Sequence, residues 1–208
     1  MKSVLVVGPS VPEGLKRDPS LHLIHAPFIT LSPLPVAPEL LGKIQDASGL
    51  ILTSKHGARF FAEALHPTTL PPIPIFCVGL STAATAKRLF PGHELAVATT
   101  QTQEGVVNLL LNHPRRPGPL FWPRSSHARR ALPEALAQAA LPLIEVVLYT
   151  PVPARPPCSL DQVDTVFFTC PSSVDAFFST VTRDEWRHLA FHAIGPVTQK
   201  RLDTLKFT

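Results

Sequence analysis

The 208-residue sequence predicts an α/β protein of two similar lobes. Each lobe is a parallel β-sheet flanked by helices; a two-stranded connection joins them, and one lobe is inserted into the other. Three observations predict this. The first is the stretch Val166-Phe167-Phe168-Thr169-Cys170-Pro171-Ser172-Ser173-Val174-Asp175-Ala176-Phe177-Phe178. It passes from a short apolar run through a small polar turn straight into an amphipathic segment, the pattern of a buried parallel strand followed by its helix. The second is that the stretch has a twin, Leu50-Ile51-Leu52-Thr53-Ser54-Lys55-His56-Gly57-Ala58-Arg59-Phe60-Phe61, and that each copy is followed by a strand-Gly-helix unit. Those units are Ile75-Phe76-Cys77-Val78-Gly79 before Thr82, and Phe191-His192-Ala193-Ile194-Gly195 before Thr198. Thr53 precedes Gly79 by 26 positions and Thr169 precedes Gly195 by 26, which argues for a duplicated half. The third is proline: there are 24, where an average usage near 5% gives about ten. Most lie between the apolar runs and so mark connections.

The elements follow in order. Val4–Val7 reads as a first strand, and Pro9, Pro12 and Pro19 leave room for a short helix at most before the second strand, residues 22–29. Pro27 marks that strand as an edge. Residues 31–38 carry Pro33, Pro35 and Pro38 and read as a stiff extended linker. Then strands and helices alternate: strand 50–52, helix 58–65, strand 75–78, helix 82–89 stopped by Pro91-Gly92, strand 95–98, and a Thr-rich turn capping a helix over 104–112. Strand 120–122, a turn at 123–126, a helix over 127–140 and strand 144–149 complete the middle. Pro151, Pro153, Pro156 and Pro157 form the second linker. Lobe A is expected to combine residues 1–30 with 158–208 and lobe B to span 38–148, with linkers at 31–37 and 149–157.

Composition excludes several classes. Hydrophobic residues at 45% and charged ones at 16% fit a globular domain, and no stretch approaches the ~20 apolar residues of a membrane span. The run at Val4–Val7 is too short for a signal peptide's apolar region, so a cytoplasmic protein is expected. Cys77, Cys158 and Cys170 are an odd number without metal-ligand spacing, which suits reduced thiols; Cys170 is expected as a small buried one. No G-x-G-x-x-G or P-loop follows a predicted strand, and no Lys/Arg stripe with interleaved aromatics marks a nucleic-acid surface. The net charge of +4 suits an anionic ligand and surface solubility equally. At the turn after Phe168, Ser172 reads as a helix N-cap with Asp175 three residues on. Such a helix start turns free amides and the positive end of its dipole toward an anion, or simply caps a βα turn.

Taken together, Leu52-Thr53-Ser54, Cys77-Val78-Gly79 with Thr82-Ala83, Leu120-Phe121-Trp122-Pro123-Arg124 with Arg129 and Leu132, Val146-Val147-Leu148-Tyr149-Thr150, Phe168-Thr169-Cys170-Pro171-Ser172-Ser173-Val174 and Ala193-Ile194-Gly195-Pro196-Val197-Thr198 stand in an order that resembles the uroporphyrinogen-III synthases of tetrapyrrole biosynthesis. The resemblance covers about residues 45–204. It implies a hydro-lyase that cyclises linear hydroxymethylbilane to uroporphyrinogen III, with inversion of the terminal pyrrole ring and loss of water. It implies no metal or organic cofactor, and a monomer in transient contact with the preceding pathway enzyme. Tyr149, the only tyrosine, matches the tyrosine of the family's second linker and is the candidate acid for the leaving hydroxyl. The substrate's acetate and propionate arms would be met at Thr53, Ser54, Lys55, Gly79, Thr169, Ser172, Ser173, Val197 and Thr198, chiefly through main-chain N–H groups, and at Arg124. Arg129 and Arg130 are expected on a solvated helix face. The chain departs from the family in its proline-broken first βα unit and in the absence of a final strand and helix, so lobe A is expected to be thin. A degenerate module of the same fold, binding a tetrapyrrole or another anion without turnover, is the alternative.

Overall fold

A computed structural model describes residues 1–114 and 116–206, the side chain of Lys206 aside. The chain divides into two compact units: Met1–Leu31 together with the chain from Pro151 onward, and Ser32–Thr150. In order, the first elements are β1 (Lys2–Val7), α1 (Glu13–Lys16), β2 (Leu21–His25), β3 (Ile29–Pro33), α2 (Pro38–Gly42) and a 3₁₀ turn at Lys43–Asp46. Next come β4 (Gly49–Leu52), α3 (Lys55–Leu65), β5 (Ile75–Cys77), α4 (Leu80–Leu89), β6 (Leu95–Val97), α5 (Gln103–Asn112), β7 (Leu120–Ser125) and α6 (Ala131–Gln138). The last are β8 (Leu143–Pro153), β9 (Thr165–Phe168), α7 (Pro171–Thr180), α8 (Arg183–Trp186), β10 (Ala190–Ala193) and α9 (Pro196–Lys206).

The first unit's sheet has the order β10-β9-β1-β2, with every pairing parallel. The second sheet has the order β3-β8-β7-β4-β5-β6. From β8 to β6 its pairings are parallel. Strand β3 runs antiparallel to β8, since Leu34 N donates to Leu148 O at one end and Ala154 N donates to Phe28 O at the other. This β3–β8 ribbon is the two-stranded connection.

The duplication is visible in the register. Leu52 lies opposite Cys77 and Phe168 opposite Ala193, an offset of 25 positions in each case. Val78 N donates to Leu52 O at 3.0 Å, and at the equivalent place Ile194 N donates to Phe168 O at 2.9 Å. Both sheets also change direction at one point. The chain leaves β4 through β5 to β6 on one side and places β7 and β8 on the other; likewise β9 leads to β10 while β1 leads to β2. Crevices of open α/β sheets lie outside the strands' carboxyl ends at such a switch. Thr53 follows β4 and Thr169 follows β9, one at each switch.

Each unit has its own core. In the first, Phe28, Phe168 and Phe177 are fully buried, with ring centroids 5.1 Å (Phe28–Phe177) and 5.5 Å (Phe168–Phe177) apart. In the second, Phe61, Phe76, Phe121 and Trp122 are fully buried. Burial of such a side chain contributes about 1.5–3 kcal/mol. Gly8, after β1, has φ +152°, and a Cβ there would stand 1.7 Å from Thr169 Oγ1. We expect Gly8→Ala to destabilise the first unit by about 2 kcal/mol, through backbone strain and this collision, as measured by urea denaturation.

Several sequence expectations are corrected. The strand expected over 22–29 is two strands, parting at Ala26-Pro27, because proline cannot donate to a ladder. The two linkers are partly strand: β3 runs to Pro33 and β8 to Pro153, and both prolines terminate their strands. Of the turn expected at 123–126, residues 123–125 are the continuation of β7 and only Ser126 begins a turn. Pro123 is accommodated there because the register with β4 ends at Phe121, so no partner on that side needs its missing N–H. The helix expected over 127–140 begins only at Ala131, with Arg129 and Arg130 preceding it. Ser172 is not an N-cap: Cys170 is, with Pro171 in the first turn. Asp175 instead pairs with Arg201 of α9 at 2.5 Å.

Candidate functional site

At the carboxyl ends of β4 to β8 in the second unit lies a cavity of about 330 Å³. It is lined by Thr53, Ser54, Val78, Gln101, Thr102, Gln103, Ser125, His127, Ala128, Arg129 and Tyr149. The strand-end turns place these residues there. Ser54 caps α3, its Oγ accepting from Gly57 N at 2.8 Å. Thr102 caps α5 in the same way, accepting from Gly105 N at 3.1 Å. In α3 the first intrahelical bond runs from Ala58 N to Ser54 O, so the amides of Lys55 and His56 have no acceptor within the helix. Thr53 Oγ1 accepts from Nε1 of the buried Trp122 at 3.1 Å, which holds the turn to β7.

Tyr149 enters this cavity because of a bulge. Arg124 lies opposite Val147, but Ser125 lies opposite Tyr149, so β8 holds one extra residue, Leu148. One extra residue reverses which side chains face each way beyond it. Tyr149 is 6% exposed, and its ring stacks on Phe60 with centroids 4.6 Å apart and planes 12° apart. Its Oη is 3.0 Å from Ser54 Oγ. Burial pushes the phenol up from its ordinary range, and the Ser54 bond opposes that more weakly.

The other expected residues divide into two groups. Thr53 and Ser54 line the cavity, whereas Lys55 is exposed and does not. Gly79 is the N-cap of α4 and packs against Gln101; a Cβ there would lie 2.5 Å from Gln101 Oε1. Arg124 is turned inward. Its Nε is 2.8 Å from Glu145 Oε2, off hydrogen-bonding alignment; its NH1 donates to Ser125 O at 2.9 Å, and its guanidinium lies 5.6 Å from the centre of the Trp122 ring. Arg129, expected on a solvated helix face, is on the loop before α6 and lines the cavity with His127. Its guanidinium is 64% exposed, with Glu104 Oε1 at 3.5 Å as its counter-charge among the described residues. The Glu104 carboxyl sits below the usual range, held by its own backbone N–H and the Thr102 hydroxyl, with Arg129 a lesser cause. Gln101 and His127 were not among the expected site residues, and Arg129, one of the residues that carries the family resemblance, was expected on a solvated face. Only their position after consecutive strands hinted at a shared site.

In the first unit, Thr169 N donates to Val7 O at 3.1 Å, and Thr169 Oγ1 is buried against Gly8 without a hydrogen-bond partner. Ser173 is fully buried; its Oγ donates to Cys170 O at 2.6 Å and accepts from Cys170 N at 3.4 Å, so its side chain closes the helix start. Ser172 is exposed, with its Oγ 3.3 Å from Cys170 Sγ. Cys170 is half-buried, not the buried thiol expected. At the start of α9, Val197 is 72% exposed and Thr198 is buried. The buried Cys77, at the end of β5, has its thiol pushed up to about 12 by burial, so it stays protonated. Among the described residues no group of three or more His, Cys, Asp or Glu is gathered to hold a metal ion.

The family model described as uroporphyrinogen-III synthase HemD matches residues 15–208. No curated protein matches the chain. Among solved structures, uroporphyrinogen-III synthetase from Helicobacter pylori aligns with TM-score 0.64 at 17% identity, covering 99% of this chain and 90% of that one. A mutant uroporphyrinogen III synthase from the extreme thermophile Thermus thermophilus gives 0.59 at 17% identity with the same coverage. The wild-type form of that protein gives 0.52 at 18% identity, covering 99% and 89%. At such identities the structural likeness is one of fold. The family match spans nearly the whole chain and agrees with the duplicated sheets, so the protein belongs to the uroporphyrinogen-III synthase family.

Proposed function

We propose that this protein converts hydroxymethylbilane to uroporphyrinogen III in the cytoplasm, with loss of water and inversion of the terminal pyrrole ring. The observation that carries the reading is Tyr149: in a chain of this family, its only phenol stands in a strand-end cavity, bonded to Ser54, and burial displaces its pKa further above the ordinary range. A phenol that stays neutral at pH 7 can donate to the departing hydroxyl. The C–O electron pair leaves with oxygen as water, and the lone pair of the ring nitrogen supplies the electrons of the resulting azafulvene. The terminal ring's already bridged α-carbon attacks this azafulvene, and its bond to the old methylene bridge breaks to leave a second azafulvene there. The ring's free α-carbon attacks that one, so the macrocycle closes with the ring inverted; the proton lost from this last carbon restores the phenol.

Much of the acceleration would come from holding a flexible chain in its reactive shape. A cavity of about 330 Å³ is at the small end for ligand sites, so it would take one carboxylate-bearing end of the substrate. The Arg129 guanidinium would meet a carboxylate arm there, and the amides of Lys55 and His56, at the start of α3 outside the cavity lining, would offer main-chain donors to another. In the first unit, the turns at Ser172, Val197 and Thr198 would offer main-chain donors, whereas the amides of Thr169 and Ser173 are already taken by Val7 O and Cys170 O.

An assay that separates type III from type I product tests the reading. Type I alone, at the spontaneous rate, would refute it. Arg129→Ala is expected to raise KM about tenfold with kcat within about twofold, because its bond to a carboxylate is the same in ground and transition states. The increase should shrink at high salt, which steady-state kinetics at two ionic strengths would check.

A further inference from the structure

The cavity holds one hydroxyl whose part goes beyond binding a substrate arm. Ser54 Oγ accepts the Gly57 amide at 2.8 Å as the N-cap of α3 and also lies 3.0 Å from Tyr149 Oη. A serine hydroxyl has one proton to give and two lone pairs. The amide occupies one lone pair, so the serine proton is polarised toward the other close partner, the phenol oxygen. Tyr149, stacked on Phe60, has its ring plane set and cannot turn Oη aside without losing that contact. We infer that Ser54 is a positioning residue that donates its hydrogen bond to Tyr149 Oη, leaves the phenol proton pointing at the substrate, and stabilises the phenolate formed when that proton departs.

The positive end of α3 reinforces this, since it lies behind Ser54 and favours negative charge on the far side of the hydroxyl. The bond would therefore be stronger to the phenolate than to the phenol, as a transition-state contribution requires. No atoms are exchanged: the proton moves from Tyr149 to the leaving oxygen, and the Ser54 proton remains on serine. The inference rests on Tyr149 being the acid, and the test below separates the two.

The single tyrosine makes the measurement direct, because phenolate absorption has one source in this chain. Ser54→Gly removes the hydroxyl while keeping most of the N-cap preference, and Ser54→Thr keeps both functions. In the intact chain, S54G is expected to raise the Tyr149 titration midpoint by about one pH unit and to lower kcat about tenfold at unchanged KM. S54T should restore both, and circular dichroism would verify that each variant is folded. A midpoint unmoved or lowered in S54G would overturn the inference, because Tyr149 would then be the donor. A raised midpoint with an unchanged rate would uphold the direction of the bond and sink the general-acid reading beneath it.

Discussion

Tyr149→Phe is expected to lower the rate of type III product formation about 100-fold while leaving KM within about twofold. Loss of a positioned general acid costs two to four orders of magnitude, and phenylalanine keeps the ring that packs on Phe60. The pH dependence follows from the direction of the phenol's displacement. Burial raises the Tyr149 pKa above the ordinary value near 10, with the Ser54 bond opposing it. The acid form, and with it the rate, therefore persists through neutral pH and is lost only as pH rises through that elevated value. In Y149F this alkaline fall should vanish, leaving a slow, flat rate there. Stopped assays across pH, with the two product isomers resolved by chromatography, would check both features. A variant with wild-type rate and the same alkaline fall would remove Tyr149 from the mechanism.

The second large effect is structural. Trp122→Ala should destabilise the second unit by about 4 kcal/mol, the middle of the range for emptying a fully buried aromatic site. Three things are lost together: the volume at the centre of β7, the indole N–H bond that holds Thr53 Oγ1 at 3.1 Å, and the ring beside which the Arg124 guanidinium lies. Trp122→Phe keeps much of the volume and should cost about 1–2 kcal/mol. The two tryptophans divide between the units, Trp122 in one and Trp186 in the other, so in W122A the remaining fluorescence reports the first unit. Urea melts followed by far-UV circular dichroism and by Trp186 fluorescence would separate the transitions. A shift below about 1 kcal/mol in W122A would show that the site's floor does not depend on this side chain.

Some of the fold was legible because local chemistry and burial agree. Leu50–Leu52 is an apolar run followed by a polar turn, and it forms the central β4 with Ser54 capping the next helix as its residue type suggests. The same logic misplaced the cap at Ser172. The cap instead falls two residues earlier, at Cys170, because Pro171 fits the first helical position and Ser173 can bond back to Cys170. Pro123 misled for a comparable reason. Proline ordinarily ends a strand, but here the neighbouring strand's pairing stops before it. Arg124 and Arg129 exchanged their expected places: the strand-end arginine has Glu145 within 2.8 Å, while the loop arginine stays open to the cavity. A sequence shows that an arginine is near a strand end, but the counter-charge that claims Arg124 lies on another strand, 21 positions away.

By itself, the sequence determined the repeated βα unit, the inserted lobe and the strand-end turns. Apolar periodicity, small polar residues and proline act over a few positions and recur in both halves. Only the tertiary structure decided that Tyr149 meets Ser54, across 95 positions of chain. That meeting depends on the extra residue Leu148 in β8, which turns the tyrosine toward the cavity. Strand register is set by pairing between distant segments, and no local pattern records it.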